Sequence, residues 1–353
     1  MNGRKPRSVS SRSKDLPLTR RAAIAFGSGG ATLAILALLL LAAGVWLYRG
    51  PGPAASHHAA STTVVLRQGG GISEIAATLR GAGVIGSSAL FIASAQVTGA
   101  ARHLKAGEYE FPSHASLAAV IDKIRRGEIV HHMITIPEGL TSEQVVDILM
   151  NNPVLTGAAP VPAEGAILPE TYEVRRGDDR GAVLQRMIEA RDMLVRTLWA
   201  QRRPDLPIET PEQAVTLASI VEKETGLPDE RPKVAAVFIN RLRQHIRLQS
   251  DPTIIYGLTR GKPLGRGIRE SELTGLTPYN TYLIDGLPPT PICNPGRASI
   301  AAVLDPPPTG DLYFVADGTG GHVFASTLEQ HQKNVEHWRA IEARNHVPAR
   351  TGR

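Results

Sequence analysis

The chain has 353 residues, a formal net charge of +6 at pH 7 and one cysteine, Cys293. The lone cysteine excludes an intramolecular disulfide and a structural metal site of the cysteine type. The first 21 residues carry seven Lys and Arg side chains and one Asp, and the rest of the chain balances at 32 basic against 32 acidic residues. Because the excess charge is confined to an N-terminal tail, it gives no support to a nucleic-acid partner.

An uncharged apolar run follows the basic tail, from Ala22 to Tyr48. As a helix it would extend roughly 40 Å, which is enough to cross the ~30 Å hydrocarbon core of a bilayer. Trp46 and Tyr48 stand at one end, where amphipathic rings favour the membrane interface. We therefore predict a cytoplasmic basic tail (1–21), one transmembrane anchor (22–48) and a translocated remainder. The alternative is a signal peptide cleaved near residues 54–56.

Residues 49–61 are rich in Pro, Gly, Ala and Ser without periodicity, which predicts a linker. Residues 62–153 then alternate short strand and helix patterns. A strand pattern at 62–66, a glycine turn and a helical pattern recur 70 residues further along, beginning at Met133. In this second copy, Thr141 and Gln144 are spaced as a capping box at the start of the helix. This order resembles the small βααβ modules of LysM type, which bind polymers that contain N-acetylglucosamine. We predict such a LysM-like module over 62–153.

A Pro-, Ala- and Gly-rich stretch marks the boundary to a second domain, predicted over 154–345, with a C-terminal tail at 346–353. A helix begins in this domain at Thr210, a candidate N-cap that is followed by Pro211 at the first helical position. It carries Glu224 near its end, on the flank of an apolar surface. A carboxyl group against a core is desolvated, so it can stay protonated near neutral pH and act as an acid. The alternative is a solvated surface Glu.

Polar and aromatic residues are set among Pro and Gly in the loop-rich segments after residue 248. Amide and hydroxyl groups match sugar hydroxyls, and aromatic rings stack on pyranose faces, whereas ordinary turn chemistry is the alternative. No P-loop and no pair of His residues with ligand spacing is visible in this half, so we predict no cofactor and no metal. The candidate substrate-binding residues are Gln249, Ser250, Asp251, Tyr279, Asn280, Thr281 and Asn294.

Two turn signals stand in the same half of the chain. Asp251 is followed by Pro252, a pair that is also typical of the start of a turn. Strand patterns at 312–316 and 322–325 flank Asp317-Gly318 and Gly320-Gly321, which predicts a hairpin.

Four segments of the second domain resemble, in order and spacing, the motifs of the MltG/YceG-like endolytic murein transglycosylases. They read VEKETGLPDERPKVAAVFINRL, LQSDPTIIYG, TPYNTYLIDGLPPTPICNPG and DLYFVADGTGGHVFASTLEQHQKNV. The resemblance covers about residues 60–340 and implies an α+β fold: a single N-terminal transmembrane helix, a LysM-like module and a mixed α+β catalytic domain. It places the catalytic carboxyl on Glu224.

The resemblance also implies the reaction and its setting. An enzyme of this family cleaves the bond between N-acetylmuramic acid and N-acetylglucosamine in nascent peptidoglycan glycan strands, without water, and so limits strand length. The products carry 1,6-anhydro-muramoyl ends. The implied location is the inner membrane, crossed once, with the catalytic domain in the periplasm. Peptidoglycan synthases of the penicillin-binding type are the partners that the family suggests.

One positioned carboxyl can suffice for this reaction, because the C6 hydroxyl of the substrate is the nucleophile. Ordinary glycosidases need two carboxylates. Glu222 and Asp251 are candidates for the negative charge that would raise the pKa of Glu224. Two other functions stay open: a lysozyme-type hydrolase that uses Glu224 with Asp251 or Glu222, and a non-catalytic, membrane-tethered peptidoglycan-binding scaffold.

Overall fold

The structure, a computed structural model, describes residues 18–55 and 59–345. Most of the predicted basic tail (1–17), three residues of the predicted linker (56–58) and the predicted C-terminal tail (346–353) lie outside this range. The described residues form a mixed α+β fold with three separate two-stranded antiparallel sheets, which confirms the predicted α+β class. The chain divides into two compact units between Val130 and His131.

The bounds of the elements are as follows. The helices are α1 (Leu18–Arg49), α2 (Ile72–Gly81), α3 (Ser88–Val97), α4 (Leu117–Arg126), α5 (Ser142–Asn151), α6 (Arg180–Ala200), α7 (Pro211–Glu224), α8 (Arg231–Arg243), α9 (Asp251–Thr259), α10 (Glu270–Leu273), α11 (Arg297–Leu304) and α12 (Leu328–Asn345). The strands are β1 (Ser61–Leu66), β2 (Gly107–Pro112), β3 (His132–Thr135), β4 (Thr171–Val174), β5 (Tyr313–Ala316) and β6 (His322–Ala325).

The first unit begins with α1, which is the one helix of the described chain that is long and apolar enough to cross a membrane, over Thr32–Arg49. Strands β1 and β2 pair in antiparallel fashion, with α2 and α3 between them along the chain. This strand–helix–helix–strand order agrees with the predicted order. The strands and helices enclose a core in which the rings of Tyr109 and Phe111 stack at 6.0 Å.

The residues described within the predicted linker are hydrogen-bonded to the first unit. The Gly52 amide donates to the carbonyl oxygen of His114 (3.2 Å), and the His114 amide donates to that of Pro53 (3.0 Å). At Gly52 an added Cβ would lie 2.1 Å from the Ala115 carbonyl oxygen, so this contact requires glycine. Pairing with residues this distant in sequence leaves no local pattern, so the composition of residues 49–61 predicts a linker without these hydrogen bonds.

Pairing between β3 and β4 places residues on both sides of 153 in the same unit. Met133 lies opposite Glu173 and Thr135 opposite Thr171. The predicted boundary between 153 and 154 therefore separates two paired strands, and the compact units divide earlier, after Val130. The second copy of the local pattern is present, with the predicted capping box between Thr141 and Gln144, but periodicity does not specify the pairing partner of a strand.

Helix α7 is the buried centre of the second unit. Every residue from Ala214 to Val221 is buried, and α7 packs against α8 and α11. Its start is the predicted one: the Thr210 hydroxyl accepts from the Gln213 amide (3.2 Å), and Pro211 occupies the first turn. Large side chains of this core, such as Phe238, each contribute roughly 1.5–3 kcal/mol by burial.

Two regions of the second unit bear on the site. The predicted hairpin is confirmed: β5 and β6 pair, with Asp317 and the following glycines in the turn. Phe314 of β5 packs edge-on against Phe238 of α8, with ring centroids 5.9 Å apart. Helix α9 begins at Asp251 and has a proline in its first turn. The Asp251-Pro252 pair therefore starts a helix and not an isolated turn.

Candidate active site

Glu224 is the last residue of α7. The helix ends there because Thr225 is extended, with φ −141° and ψ 133°, and Gly226 and Pro228 follow within four residues. The middle of α7, from Ala214 to Val221, is buried, Lys223 is exposed, and Glu224 itself is half-buried. The end of the helix thus holds one carboxyl group at the boundary between the core and solvent.

An open cleft of about 500 Å³ lies over Glu224 in the second unit. Polar and apolar side chains from α7, α8, α9, β5 and α12, and from the loops between them, line it. They are Glu224, Arg241, Leu248, Gln249, Asp251, Tyr282, Phe314, Val315, His331 and Val335. A separate cavity of about 460 Å³ in the first unit has no titratable side chain in its lining, so it offers no acid or base.

Ser250 holds the carboxyl group of Glu224. Its hydroxyl donates a hydrogen bond to Glu224 Oε1. The Ser250 amide in turn donates to the Thr281 hydroxyl (2.9 Å), and the Thr253 hydroxyl donates to the Ser250 carbonyl oxygen (2.6 Å). Gln249 adopts a left-handed conformation, with φ +53°. This bonded turn is what brings Ser250, 26 residues away in the chain, onto the carboxyl group.

The acidity of Glu224 suits proton transfer near neutral pH. Burial raises the pKa of Glu224 from its ordinary 4.5 to about 7. The Ser250 hydroxyl bond lowers the pKa, the negative charge of Asp251 raises it, and the positive charges of His322 and Arg241 lower it. Of the two candidates for the nearby negative charge, Asp251 therefore acts on Glu224. A carboxyl group with this pKa can both give and take a proton at working pH.

Asp251 is exposed in the cleft at the start of α9. The Tyr282 hydroxyl donates to Asp251 Oδ1 at 2.7 Å. Burial and the Asp251 carboxylate raise the pKa of Tyr282, so the phenol stays protonated and keeps donating. This bond orients the Asp251 carboxylate, and Tyr282 is a cleft residue that the sequence analysis did not select.

Glu222 lies two residues before Glu224 on α7, and such residues do not share a helix face. Its Oε2 accepts from the Gly296 amide (2.9 Å) and from the Ser299 hydroxyl (2.7 Å), at the start of α11. Its Oε1 accepts from Arg231 (3.3 Å). Glu222 is not among the cleft residues, so its carboxylate attaches α11 to α7.

Four predicted substrate-binding residues, Tyr279, Asn280, Thr281 and Asn294, are buried and do not line the cleft. The Tyr279 hydroxyl is hydrogen-bonded to the Thr290 hydroxyl (2.8 Å). The Asn280 amide group donates to three backbone carbonyls, including that of Gly275 (2.8 Å), and its oxygen accepts from the Tyr282 amide (3.0 Å). Thr281 holds the Ser250 turn, as described above. In this structure these side chains shape the loops that carry the cleft.

Asn294 is fully buried and joins three separate segments. Its side-chain oxygen accepts from the Ile167 amide (3.0 Å). Its nitrogen donates to the Leu140 carbonyl oxygen (3.0 Å) and to the Ser142 hydroxyl (3.2 Å). Both the oxygen and the nitrogen of this amide are hydrogen-bonded to the protein, which is typical of a buried structural amide.

Of the seven predicted substrate-binding residues, Gln249 and Asp251 line the cleft and Ser250 contacts Glu224 directly. The cleft residues missed by the sequence analysis include Arg241, Phe314 and His331. Arg241 has no local signal, since it is one of several arginines on an amphipathic helix. Within the described residues, no group of three or more His, Cys, Asp or Glu is arranged to hold a metal ion.

Replacing Asp251 with Asn is expected to shift the pH dependence of any reaction that needs protonated Glu224. The negative charge of Asp251 raises the pKa of Glu224, so its removal lowers that pKa, and the rate falls at a lower pH than in the wild type. Rate–pH profiles of Asp251→Asn and of Asp285→Asn, an exposed carboxylate outside the cleft, measure the shift. An unchanged profile in the folded Asp251 variant would contradict it.

One carboxyl group with a pKa near neutrality, held over an open polar cleft, defines a general acid/base site. The YceG-like family matches residues 64–337, and the chain belongs to this family.

Named relatives are similar over most of the chain. It is 29% identical over 309 residues to the endolytic murein transglycosylase of Bacillus subtilis (strain 168), covering 78% of this chain and 84% of that protein. It is 28% identical over 323 residues to the endolytic murein transglycosylase of Streptococcus pneumoniae (strain D39), covering 77% of this chain and 57% of that protein. A crystal structure of a YceG-like protein from Listeria monocytogenes matches with a TM-score of 0.49 at 28% identity, covering 78% of this chain and 98% of that one.

Proposed function

We propose that the chain is an endolytic murein transglycosylase that cleaves the bond between N-acetylmuramic acid and N-acetylglucosamine in peptidoglycan glycan strands and leaves 1,6-anhydro-muramoyl ends. The observation that carries the proposal is Glu224, whose pKa is raised to about 7, over a cleft that is open to solvent. The names of the two relatives support the substrate and the reaction class.

The reaction needs two proton transfers at one carboxyl group. In the first, protonated Glu224 gives its proton to the glycosidic oxygen, the bond from that oxygen to the muramoyl C1 breaks, and positive charge develops at C1. In the second, the Glu224 carboxylate takes the proton of the muramoyl C6 hydroxyl, and the C6 oxygen bonds to C1. The ring closes, Glu224 is protonated again, and no water is consumed. A pKa near neutrality serves both steps.

Asp251 keeps a second candidate function open, because its carboxylate lies in the same cleft as Glu224. In a lysozyme-type hydrolase, Glu224 would be the acid and Asp251 the nucleophile or base. Glu222 does not serve this alternative, since its carboxylate is bonded to α11 and to Arg231. A non-catalytic scaffold would require neither carboxyl group.

Mass spectrometry of the products distinguishes these functions. The full chain in detergent is incubated with uncross-linked peptidoglycan strands, and the ends of the fragments are identified. The proposal expects anhydro-muramoyl ends, one water lighter than the ends from hydrolysis. Reducing ends would make the protein a hydrolase and would direct attention to Asp251. Binding of strands without any cleavage would favour the scaffold.

The location and the first unit complete the proposal. Helix α1 would anchor the protein in the inner membrane, with the basic N-terminus in the cytoplasm and the chain after Arg49, including the second unit with its cleft, in the periplasm. The β1-α2-α3-β2 segment would act as a LysM-like module that binds N-acetylglucosamine-containing strands. Peptidoglycan synthases of the penicillin-binding type would be partners, and co-purification from cross-linked membranes tests this association.

The orientation can be tested by thiol labelling, because the native Cys293 is buried and gives little background. In spheroplasts, a membrane-impermeant maleimide is expected to label Val97→Cys, a site that is 88% exposed in the first unit. A cysteine in the basic tail, Ser8→Cys, is expected to react only after the membrane is opened. The reverse pattern would overturn the proposed orientation.

A further inference from the structure

Arg241 lines the cleft and is a buried residue, with 8% of its surface exposed. Its Nε donates to the Leu312 carbonyl oxygen at 2.6 Å. Its Nη1 donates to the carbonyl oxygens of Arg247 (2.9 Å) and Leu248 (3.0 Å) and to the side-chain oxygen of Gln249 (3.1 Å). All four acceptors are neutral, and no carboxylate of the described residues forms an ion pair with Arg241. Its positive charge is therefore not neutralised by a carboxylate, and its guanidinium carbon lies 5.2 Å from the centroid of the Tyr313 ring.

The first consequence concerns geometry. Three of the four acceptors belong to consecutive residues, from Arg247 to Gln249, and the next residue is Ser250, which bonds to Glu224. The left-handed conformation of Gln249, at φ +53°, costs roughly 1 kcal/mol in a non-glycine residue. The bonds from Arg241 hold the chain in this conformation. A lysine cannot replace them, because one ammonium group does not present the fork of donors that a guanidinium group has.

The second consequence concerns charge. Arg241 and Glu224 line the same cleft, and the positive charge of Arg241 lowers the pKa of Glu224, opposing the effects of burial and of Asp251. An unbalanced buried cation stabilises a nearby anion more strongly than an exposed cation would. In the reaction proposed above, Glu224 is an anion only between the two proton transfers.

We propose that Arg241 is a positioning residue for Glu224: it holds the 247–249 segment so that Ser250 meets the carboxyl group, and it stabilises the carboxylate formed between the two proton transfers. The inference rests on the proposed function, since it concerns the intermediate state of that reaction. It assigns a role to a residue on α8 that does not itself contact the reacting atoms.

The other groups whose charge or hydrogen bonding involves Glu224 come from three further segments. Ser250 and Asp251 lie at the start of α9, and His322 lies on β6, where its Nδ1 is 2.7 Å from the Glu230 carboxylate. Tyr282 reaches the site through Asp251. These groups remain in place when Arg241 alone is changed, so a change in pH dependence reports on the arginine.

Arg241→Met and Arg241→Lys, made in the full chain, test the proposal through kcat and KM on peptidoglycan strands at pH values on both sides of 7. The wild-type rate falls as the pH rises through the pKa of Glu224. Without the cation the pKa of Glu224 is higher, so the rate of Arg241→Met begins to fall at a higher pH than that of the wild type. Its kcat also drops about 10- to 100-fold, because the carboxyl group is no longer held in position. Arg241→Lys keeps the charge, so its rate falls at nearly the same pH as that of the wild type. Its kcat nevertheless drops, because lysine lacks the fork of donors.

The control is Arg243→Met on the same helix. Arg243 is exposed, donates to Asn240 and to the Asp205 carbonyl oxygen, and does not line the cleft. It is expected to keep the wild-type kcat and pH profile. Thermal unfolding and circular dichroism of every variant establish that each protein is folded. If Arg241→Met does not fold, the folded Lys variant decides, because an unchanged kcat there overturns the positioning role.

Two outcomes separate a failure of this inference from a failure of the proposed function. In the first, the wild type forms anhydro ends, but Arg241→Met has the wild-type kcat and its rate falls at the wild-type pH, or it differs only in KM. The role of Arg241 is then wrong, and the proposed function stands. If the wild type forms reducing ends, the proposed function is wrong, and the assignment to Arg241 is withdrawn with it.

Discussion

Replacement of Glu224 with Gln is expected to abolish glycan cleavage while the protein stays folded. Gln has nearly the same shape as Glu but can neither give nor take a proton at working pH, so the loss should be at least ~10³-fold. The Ser250 hydroxyl can still donate to the side-chain oxygen of Gln, so the bonded turn at Gln249 and Ser250 persists. The measurement is the rate of release of glycan fragments, with product ends identified by mass spectrometry.

The stability of this variant gives an independent readout with a defined sign. The pKa of Glu224 in the folded protein is raised to about 7 from 4.5. The protonated carboxyl group therefore contributes fully to the free energy of unfolding below pH 4.5, and this contribution is lost as the pH rises through 7. The neutral Gln side chain avoids this loss. Above pH 7 the variant should therefore unfold at a temperature equal to or higher than that of the wild type.

Glu222→Gln is the matched comparison, two residues away on α7. Its carboxylate is bonded to α11 and to Arg231 and does not line the cleft. This variant is expected to lose stability, since a buried ion pair loses one charge, while its remaining folded fraction still cleaves. Normal cleavage by folded Glu224→Gln would remove Glu224 as the acid, and equal loss of cleavage in both folded variants would point to a structural cause.

Replacement of Asn294 with Ala is expected to destabilise the second unit by about 2–3 kcal/mol, because buried partners lose their hydrogen bonds. The Ile167 amide and the Ser142 hydroxyl both bond to the Asn294 side chain. Urea unfolding of Asn294→Ala and of Asn151→Ala, an exposed asparagine at the end of α5, measures the difference.

The same variant tests the role that the sequence analysis assigned to Asn294. Because the side chain is fully buried and lies outside the cleft, KM for glycan strands should stay close to the wild-type value under conditions where the variant is folded. Unchanged stability together with a raised KM would return Asn294 to the substrate-binding residues.

The buried amides explain why a high density of polar residues after 248 is an incomplete guide to a sugar site. Asn280 and Asn294 use their amide groups to satisfy backbone carbonyls and amides of loops that lack regular structure. A cleft built on loops needs such bonds, since the backbone groups of a loop have no helix or sheet partners. The same residue types are suited both to sugar hydroxyls and to the backbone groups of loops, so residue type alone does not distinguish the two uses.

Several features of this protein follow from the sequence alone. The length and polarity of the run from Ala22 to Tyr48 predicted α1, and the Thr210 and Pro211 signals predicted the start of α7. The glycine-rich turn after Asp317 predicted the β5–β6 hairpin. Each depends on residues within one or two turns of each other, where helix capping, dihedral preferences and the helical repeat act. The end of an apolar helix made Glu224 a candidate acid beside the alternative of a solvated surface Glu, and the resemblance to the YceG-like family selected it.

The surroundings of Glu224 were decided by the tertiary structure. The meeting of Ser250 with Glu224, the position of Asp251 in the cleft and the unbalanced charge of Arg241 all join parts of the chain that are far apart in sequence. The pairing of β3 with β4 and the burial of Asn294 are long-range in the same way. Such contacts depend on how the helices of the second unit pack, and because many distant partners are compatible with the same local pattern, only the packed chain selects among them.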